Sequence, residues 1–194
     1  TEGKGVRVAV IDTGIYTEHK DLKGKVDGGY DAFTKSELKE AYQDKNGHGT
    51  HVAGTIAAIK DGKGVVGVAP KARLYAVRVL DEDGSGSLSG VIDGIIWCAN
   101  NAVQVANMSL GSAQGSATMQ RALRYAKAKG VVVVAAAGNS GGAVGFPGAY
   151  PEGIGVAASD SSDKVAAFSS RGPEVDFIAP GVSVVSSAMD GDYA

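Results

Sequence analysis

Val131-Val132-Val133-Val134-Ala135-Ala136-Ala137 is an unbroken apolar run of strand length, and Gly130 stands directly before it. A strand that is apolar on both faces has to be covered on both faces, which is the situation inside a parallel sheet. Upstream, residues 117–129 carry apolar side chains at three- and four-residue spacing, so they read as a helix, with Gly130 where a C-terminal cap favours glycine. Further back, residues 103–110 form a second Val-containing strand. Strand, helix, strand is the unit of a parallel crossover. The alternation continues outward, with strands expected at 6–11 and 73–80, helices at 51–59 and 88–102, and shorter strands at 154–158, 175–178 and 182–185. The expected fold is α/β: three αβα layers around a mostly parallel, doubly wound sheet, with residues 1–194 as a single domain. In such sheets chemistry collects at the carboxyl ends of the strands.

Composition excludes several classes. Nineteen Lys and Arg against 21 Asp and Glu leave a net charge of −2, without the basic footprint of a nucleic-acid binder. The single cysteine, Cys98, excludes a disulfide framework or a multi-cysteine zinc site within the chain. The longest apolar run is too short to cross a bilayer, so no membrane partner is expected. The N-terminus, Thr1-Glu2-Gly3-Lys4-Gly5, has no signal-peptide character. Glycine, at 29 residues, is about twice its usual share of roughly 7%.

Asp12 closes the first strand in Val10-Ile11-Asp12-Thr13-Gly14, where it reads as a turn aspartate or as a functional carboxylate. The pentapeptide also spells an aspartic-protease signature, but that chemistry pairs two such carboxylates in all-β chains, and the helices here oppose it. His48 and His51 lie in Asn46-Gly47-His48-Gly49-Thr50-His51-Val52-Ala53-Gly54. As a metal pair they lack the Glu of His-Glu-x-x-His and further ligands. Flanking glycines let backbone approach His48, so His48 is the expected catalytic histidine. His51 is expected to pack or bond within its helix, and His19 to be a solvated loop residue. Gly138-Asn139-Ser140-Gly141-Gly142 spells a nucleophile elbow, yet an elbow serine opens a helix and precedes its acid and histidine, whereas every histidine here comes earlier. Asn139 is the better reading, as an amide donor at a strand end. Gly84-Ser85-Gly86-Ser87-Leu88-Ser89-Gly90 imitates a dinucleotide fingerprint with its last glycine one position late; a helix N-cap beside an open edge for extended peptide fits better.

Together these segments resemble the subtilisin-like serine peptidases. The resemblance rests on Val8-Ala9-Val10-Ile11-Asp12-Thr13-Gly14, Gly47-His48-Gly49-Thr50-His51-Val52-Ala53-Gly54 and Ala136-Ala137-Gly138-Asn139, with Gly67-Val68-Ala69-Pro70 and Asn107-Met108-Ser109-Leu110-Gly111 in support. It implies a serine endopeptidase working through an Asp-His-Ser triad. Asp12 would orient His48, His48 would act as general base and then acid, and Asn139 would donate to the oxyanion. Gly84, Ser85, Gly86, Ser109, Leu110 and Gly111 would line the substrate cleft, with Ala136, Ala137 and Gly138 as the other wall of the main specificity pocket.

The resemblance also implies a structural Ca²⁺, held by the carboxylates of Asp21 and Asp61 and the carbonyls of Ile59, Lys63 and Val65. It implies protein or peptide substrates, a propeptide or proteinaceous inhibitor as partner, and secretion, although intracellular members exist. The family's nucleophile sits in a Gly-Thr-Ser-Met-Ala segment, and this chain reaches Tyr193-Ala194 without it. Ser169, Ser170, Ser186 and Ser187 lie outside any matching motif. The expectation is a domain incomplete at its C-terminus, inactive alone and completed by a further helical segment; the alternative is a serine-less relative that binds peptide.

Overall fold

A computed structural model describes residues 1–194. Seven parallel strands form one sheet: β1 (Arg7–Asp12), β2 (Val26–Asp31), β3 (Arg73–Arg78), β4 (Val105–Met108), β5 (Val132–Ala136), β6 (Ile154–Ser159) and β7 (Phe177–Pro180), in the spatial order β2-β3-β1-β4-β5-β6-β7. The reversal of direction at β1 makes the sheet doubly wound. It is flanked by α1 (His48–Ala57), α2 (Leu88–Asn100) and α3 (Ala117–Ala128).

Strand alternation sorts the core into two layers. From β1, Ala9 and Ile11 point to one face and join Val77, Ile95, Cys98, Met108, Leu123 and Val133 in the cluster beneath α2 and α3. Val8 and Val10 point to the other face and meet Leu74, Ala76, Ala53 and Ala57 under α1. Both α2 and α3 start on serines, Ser87 and Ser116, whose hydroxyls accept from Gly90 N–H and Met119 N–H. Each satisfies a backbone donor that the first turn leaves free. Cys98 lies in the first layer, and burial pushes its thiol up to about 12, so it behaves as a small apolar residue.

The two layers are unequal. Beyond β4, the face that α1 covers elsewhere is open. Val132 and Ala136 of β5 are exposed, as is all of β7, including Phe177 and Ile178. A cavity of about 290 Å³ lined by Val134, Ala136, Val156, Ala158 and Ala179 lies on this face.

Several details differ from expectation. β2 was hidden in sequence because it reads Val-Asp-Gly-Gly-Tyr-Asp. It is an edge strand, bulged between Val26 and Gly28, paired only with β3. Residues 182–185 form no strand: Ser183 adopts a positive φ of 54° and the chain turns away after β7, which itself lies at 177–180 rather than 175–178. The first helix begins at His48, ahead of residue 51, because side-chain acceptors outside the helix cap its first turn.

Candidate active site

β1 ends on Asp12, which is fully buried. Its Oδ1 accepts from Thr13 N–H at 2.8 Å and from His48 Nδ1 at 2.7 Å. A carboxylate oxygen only accepts here, so the imidazole carries its proton on Nδ1 and presents Nε2 as a free base. Asp12 Oδ2 is buried and has no hydrogen-bond partner. The hydrogen bond to Asp12 raises the His48 pKa above its ordinary value; burial opposes it, and the charges of Asp12 and Asp44 add to it.

His48 is the first residue of α1, and the turn that presents it is built from outside. The N-cap is Gly47, in a left-handed conformation with no side chain to offer. His48 N–H donates to Asn46 Oδ1, Gly49 N–H to Thr13 Oγ1 and Thr50 N–H to Asp44 Oδ2. Three side chains thus replace one cap. The approach of α1 to β1 needs glycine: a Cβ on Gly49 would run into the Gly14 carbonyl oxygen.

Asn139 follows β5 on an exposed turn opened by Gly138 at φ 108°. Asp12, His48 and Asn139 therefore meet the carboxyl edge of the sheet on either side of β4. Ser140 is not an elbow: its hydroxyl pairs with Ser170 Oγ at 3.1 Å and no helix follows.

Two clefts flank the segment after β4. The larger, about 690 Å³, is lined by His48, Gly84, Ser85, Gly86, Leu110 and the apolar side chains of Leu88, Val91, Met119 and Phe146. The second, about 480 Å³, runs between Ser109, Leu110, Gly111 and the β5 exit, with Ala136, Gly138 and Asn139 on its wall. Ala137 is buried behind that wall and lines the cavity on the open face.

The expected metal ligands are partly gathered. Asp21 is buried; its carbonyl accepts from Ile59 N–H at 2.9 Å and its Oδ2 from Val65 N–H at 3.1 Å. Asp61 is exposed, and its Oδ1 accepts from Lys63 N–H within its own turn. The Tyr193 hydroxyl lies against Asp21, and its pKa is raised by burial and then by that carboxylate. No group of three or more His, Cys, Asp or Glu is disposed to hold a metal. The expected ligands, the Asp21 carboxylate and the Asp61 carboxylate and carbonyls of the glycine-containing loop at 59–65, are nonetheless all hard oxygens, a chemistry that fits Ca²⁺.

Two histidines differ from expectation. His19 is not solvated but fully buried: its Nδ1 accepts from Asp21 N–H at 3.1 Å and its Nε2 donates to Asp192 O at 2.8 Å. His51 bonds outside its helix, from Nε2 to Val184 O at 3.0 Å and Ala194 O at 3.2 Å. Both rings hold the hairpin at 186–194, a long-range pairing that local sequence does not encode. Asp44 was also missed; its only local signal is an acid three residues ahead of a glycine cap.

The sequence profile described as "Subtilase family" matches residues 3–193. The chain belongs to the subtilase family. It is 52% identical over 193 residues to alkaline elastase YaB of Bacillus sp. (strain YaB), covering 99% of this chain and 50% of that protein. Against Subtilisin Savinase of Lederbergia lenta the identity is 50% over 193 residues, covering 99% and 70%. Among solved structures, a cold adapted subtilisin-like serine proteinase superposes with a TM-score of 0.91 at 41% identity, over 100% of this chain and 69% of that one. Sphericase does so with 0.92 at 39%, over 99% and 71%. The subtilase chain described here thus spans half the length of alkaline elastase YaB.

Proposed function

We propose that residues 1–194 carry the acid, the base, the oxyanion donor and the peptide cleft of a serine endopeptidase. The observation that supports this most is the 2.7 Å bond from His48 Nδ1 to buried Asp12, which leaves Nε2 free beside a cleft. His48 Nε2 takes the proton of an attacking serine hydroxyl as that oxygen bonds to the scissile carbonyl carbon. The imidazolium is held by Asp12 and then returns the proton to the leaving amine. The Asn139 amide donates to the carbonyl oxygen as it gains charge. An extended peptide lies along Gly84–Gly86 and Ser109–Gly111, with a side chain directed between Ser109–Gly111 and the wall of Ala136 and Gly138, which buried Ala137 backs.

No hydroxyl of the chain bonds to His48, so we assign the nucleophile to polypeptide outside residues 1–194, in an element that covers the open face of β5 and β6. Asp21, Asp61 and the carbonyls of Ile59, Lys63 and Val65 would hold a structural Ca²⁺ away from the reacting atoms. Secretion and a propeptide or protein inhibitor as partner accord with the family reading.

The test compares residues 1–194 with a longer protein of the same gene, using peptide hydrolysis and labelling by a serine-reactive phosphonate. Turnover and labelling are expected only in the longer protein, lost on His48→Ala, for which a drop of about 10⁶-fold is the magnitude measured in subtilisin itself. Turnover by residues 1–194 alone would mean that a serine within them is the nucleophile. A longer protein that binds peptide but cleaves nothing would favour a binding protein.

A further inference from the structure

Asp44 touches neither the cleft nor the imidazole, yet it is buried and accepts five hydrogen bonds. Its Oδ1 accepts from Thr13 Oγ1 at 2.9 Å, Asn46 N–H at 2.9 Å and Gly47 N–H at 3.0 Å. Its Oδ2 accepts from Thr50 N–H at 2.9 Å and Thr50 Oγ1 at 2.6 Å. The partners fall into two groups. Asn46, Gly47 and Thr50 enclose His48 on both sides in the chain. Thr13 follows Asp12 directly, and its hydroxyl also takes Gly49 N–H at 2.9 Å. One carboxylate therefore ties the end of β1, where the acid sits, to the first turn of α1, where the base sits.

We propose that Asp44 is a positioning residue for His48, fixing the imidazole against Asp12 by locking the first turn of α1 onto the end of β1. Gly47 has no side chain to perform this service, and a cap from Asn46 alone would hold the turn without registering it to Thr13. Burial pushes the Asp44 carboxyl up, but the bonds from Gly47, Thr50 and Asn46 outweigh it and keep its pKa below the usual carboxylate range, so the anion persists at neutral pH. Asp12 from β1 and Asp44 from the loop before α1 are the charged groups that act on the His48 ring. This inference rests on the Asp12–His48 reading above, and its test separates the two.

The chain has three histidines, so a ¹³C-histidine NMR titration yields three ring signals, with His48 identified by its loss in His48→Ala. Asp12→Asn is expected to lower the His48 titration midpoint and to remove the far-downfield Nδ1–H signal of a ring bonded to carboxylate. Asp44→Asn should lower the midpoint as well and speed exchange of that proton. Thr13→Val, which cuts the link to β1 but keeps the Asp44 charge, should speed exchange with a smaller change in midpoint, and it serves if Asp44→Asn fails to fold. In the proteolytically active protein, Asp44→Asn should cost up to about 10²-fold in kcat with KM little changed, the scale of a small misplacement. Wild-type titration and exchange in both Asp44→Asn and Thr13→Val, whatever the melting temperature, would reduce Asp44 to a helix cap and overturn the proposal. If Asp12→Asn also leaves His48 unchanged, the acid–base pairing itself fails.

Discussion

Asp12 Oδ1 divides its lone pairs between Thr13 N–H and His48 Nδ1, so the charge that orients the ring is anchored by its own backbone. Because this bond raises the His48 pKa and a general base has to be neutral, turnover of the active protein should set in only as pH rises through a value above the ordinary 6.5. A pH–rate profile checks this, and Asp12→Asn should move the acid limb down while lowering the rate. Asn139→Ala removes one donor to the developing oxyanion, and a loss of about 10²–10³ in kcat with little change in KM is expected from steady-state kinetics. Far from the site, Glu2 bridges Lys60 and Lys71, and hydrogen bonds from these two lysines hold its carboxyl down at about 2. A lowered folded pKa contributes stability above the unfolded value of 4.5 that is lost as pH falls through about 2. Glu2→Gln should accordingly be slightly less stable than wild type at neutral pH, by little because the ion pair is exposed, and the difference should vanish as pH falls toward about 2, which denaturant unfolding at several pH values checks.

At the scale of elements, the contacts between ends matter more than lengths. Ser87→Ala removes the N-terminal side-chain cap of α2 and should cost about 1 kcal/mol in urea unfolding. Gly49→Ala drives a methyl into the Gly14 carbonyl where α1 meets β1, so it should cost about 1–3 kcal/mol and also disturb the His48 titration, which Ser87→Ala should leave alone. Most elements could be read from the chain because apolar runs and helical spacing are local properties: β5, β4, α2 and α3 fall within a few residues of their expected bounds. β2 could not, since Gly28, Gly29 and two aspartates give it no strand pattern, and only pairing with β3 makes it a strand. The run at 182–185 is the converse, apolar enough for a strand but with no neighbouring strand to pair with.

For the molecule as a whole, the uneven coverage of the sheet is the dominant feature. Residues 1–194 should bind a hydrophobic dye through the open face of β5 to β7, and a longer protein that covers this face should bind it less, measured by fluorescence. If Ca²⁺ occupies the loop beside Asp21, chelation should lower the melting temperature with the His48 titration unchanged, because an ion bound only to the folded state stabilises it by mass action. The sequence by itself determined the three-layer α/β architecture and named Asp12, His48 and Asn139, because strand and helix periodicity are local and these residues stand in motifs at strand ends. It also located the glycines whose φ or close packing opens those ends. Only the tertiary structure decided that Asp44 and Thr13 join Asp12 to His48, that His19 is buried beneath the hairpin at 186–194, and which half of the sheet lies bare. Those outcomes depend on hydrogen bonds and packing between residues far apart in the chain, and no local pattern of side chains specifies which distant partner a buried polar group will meet.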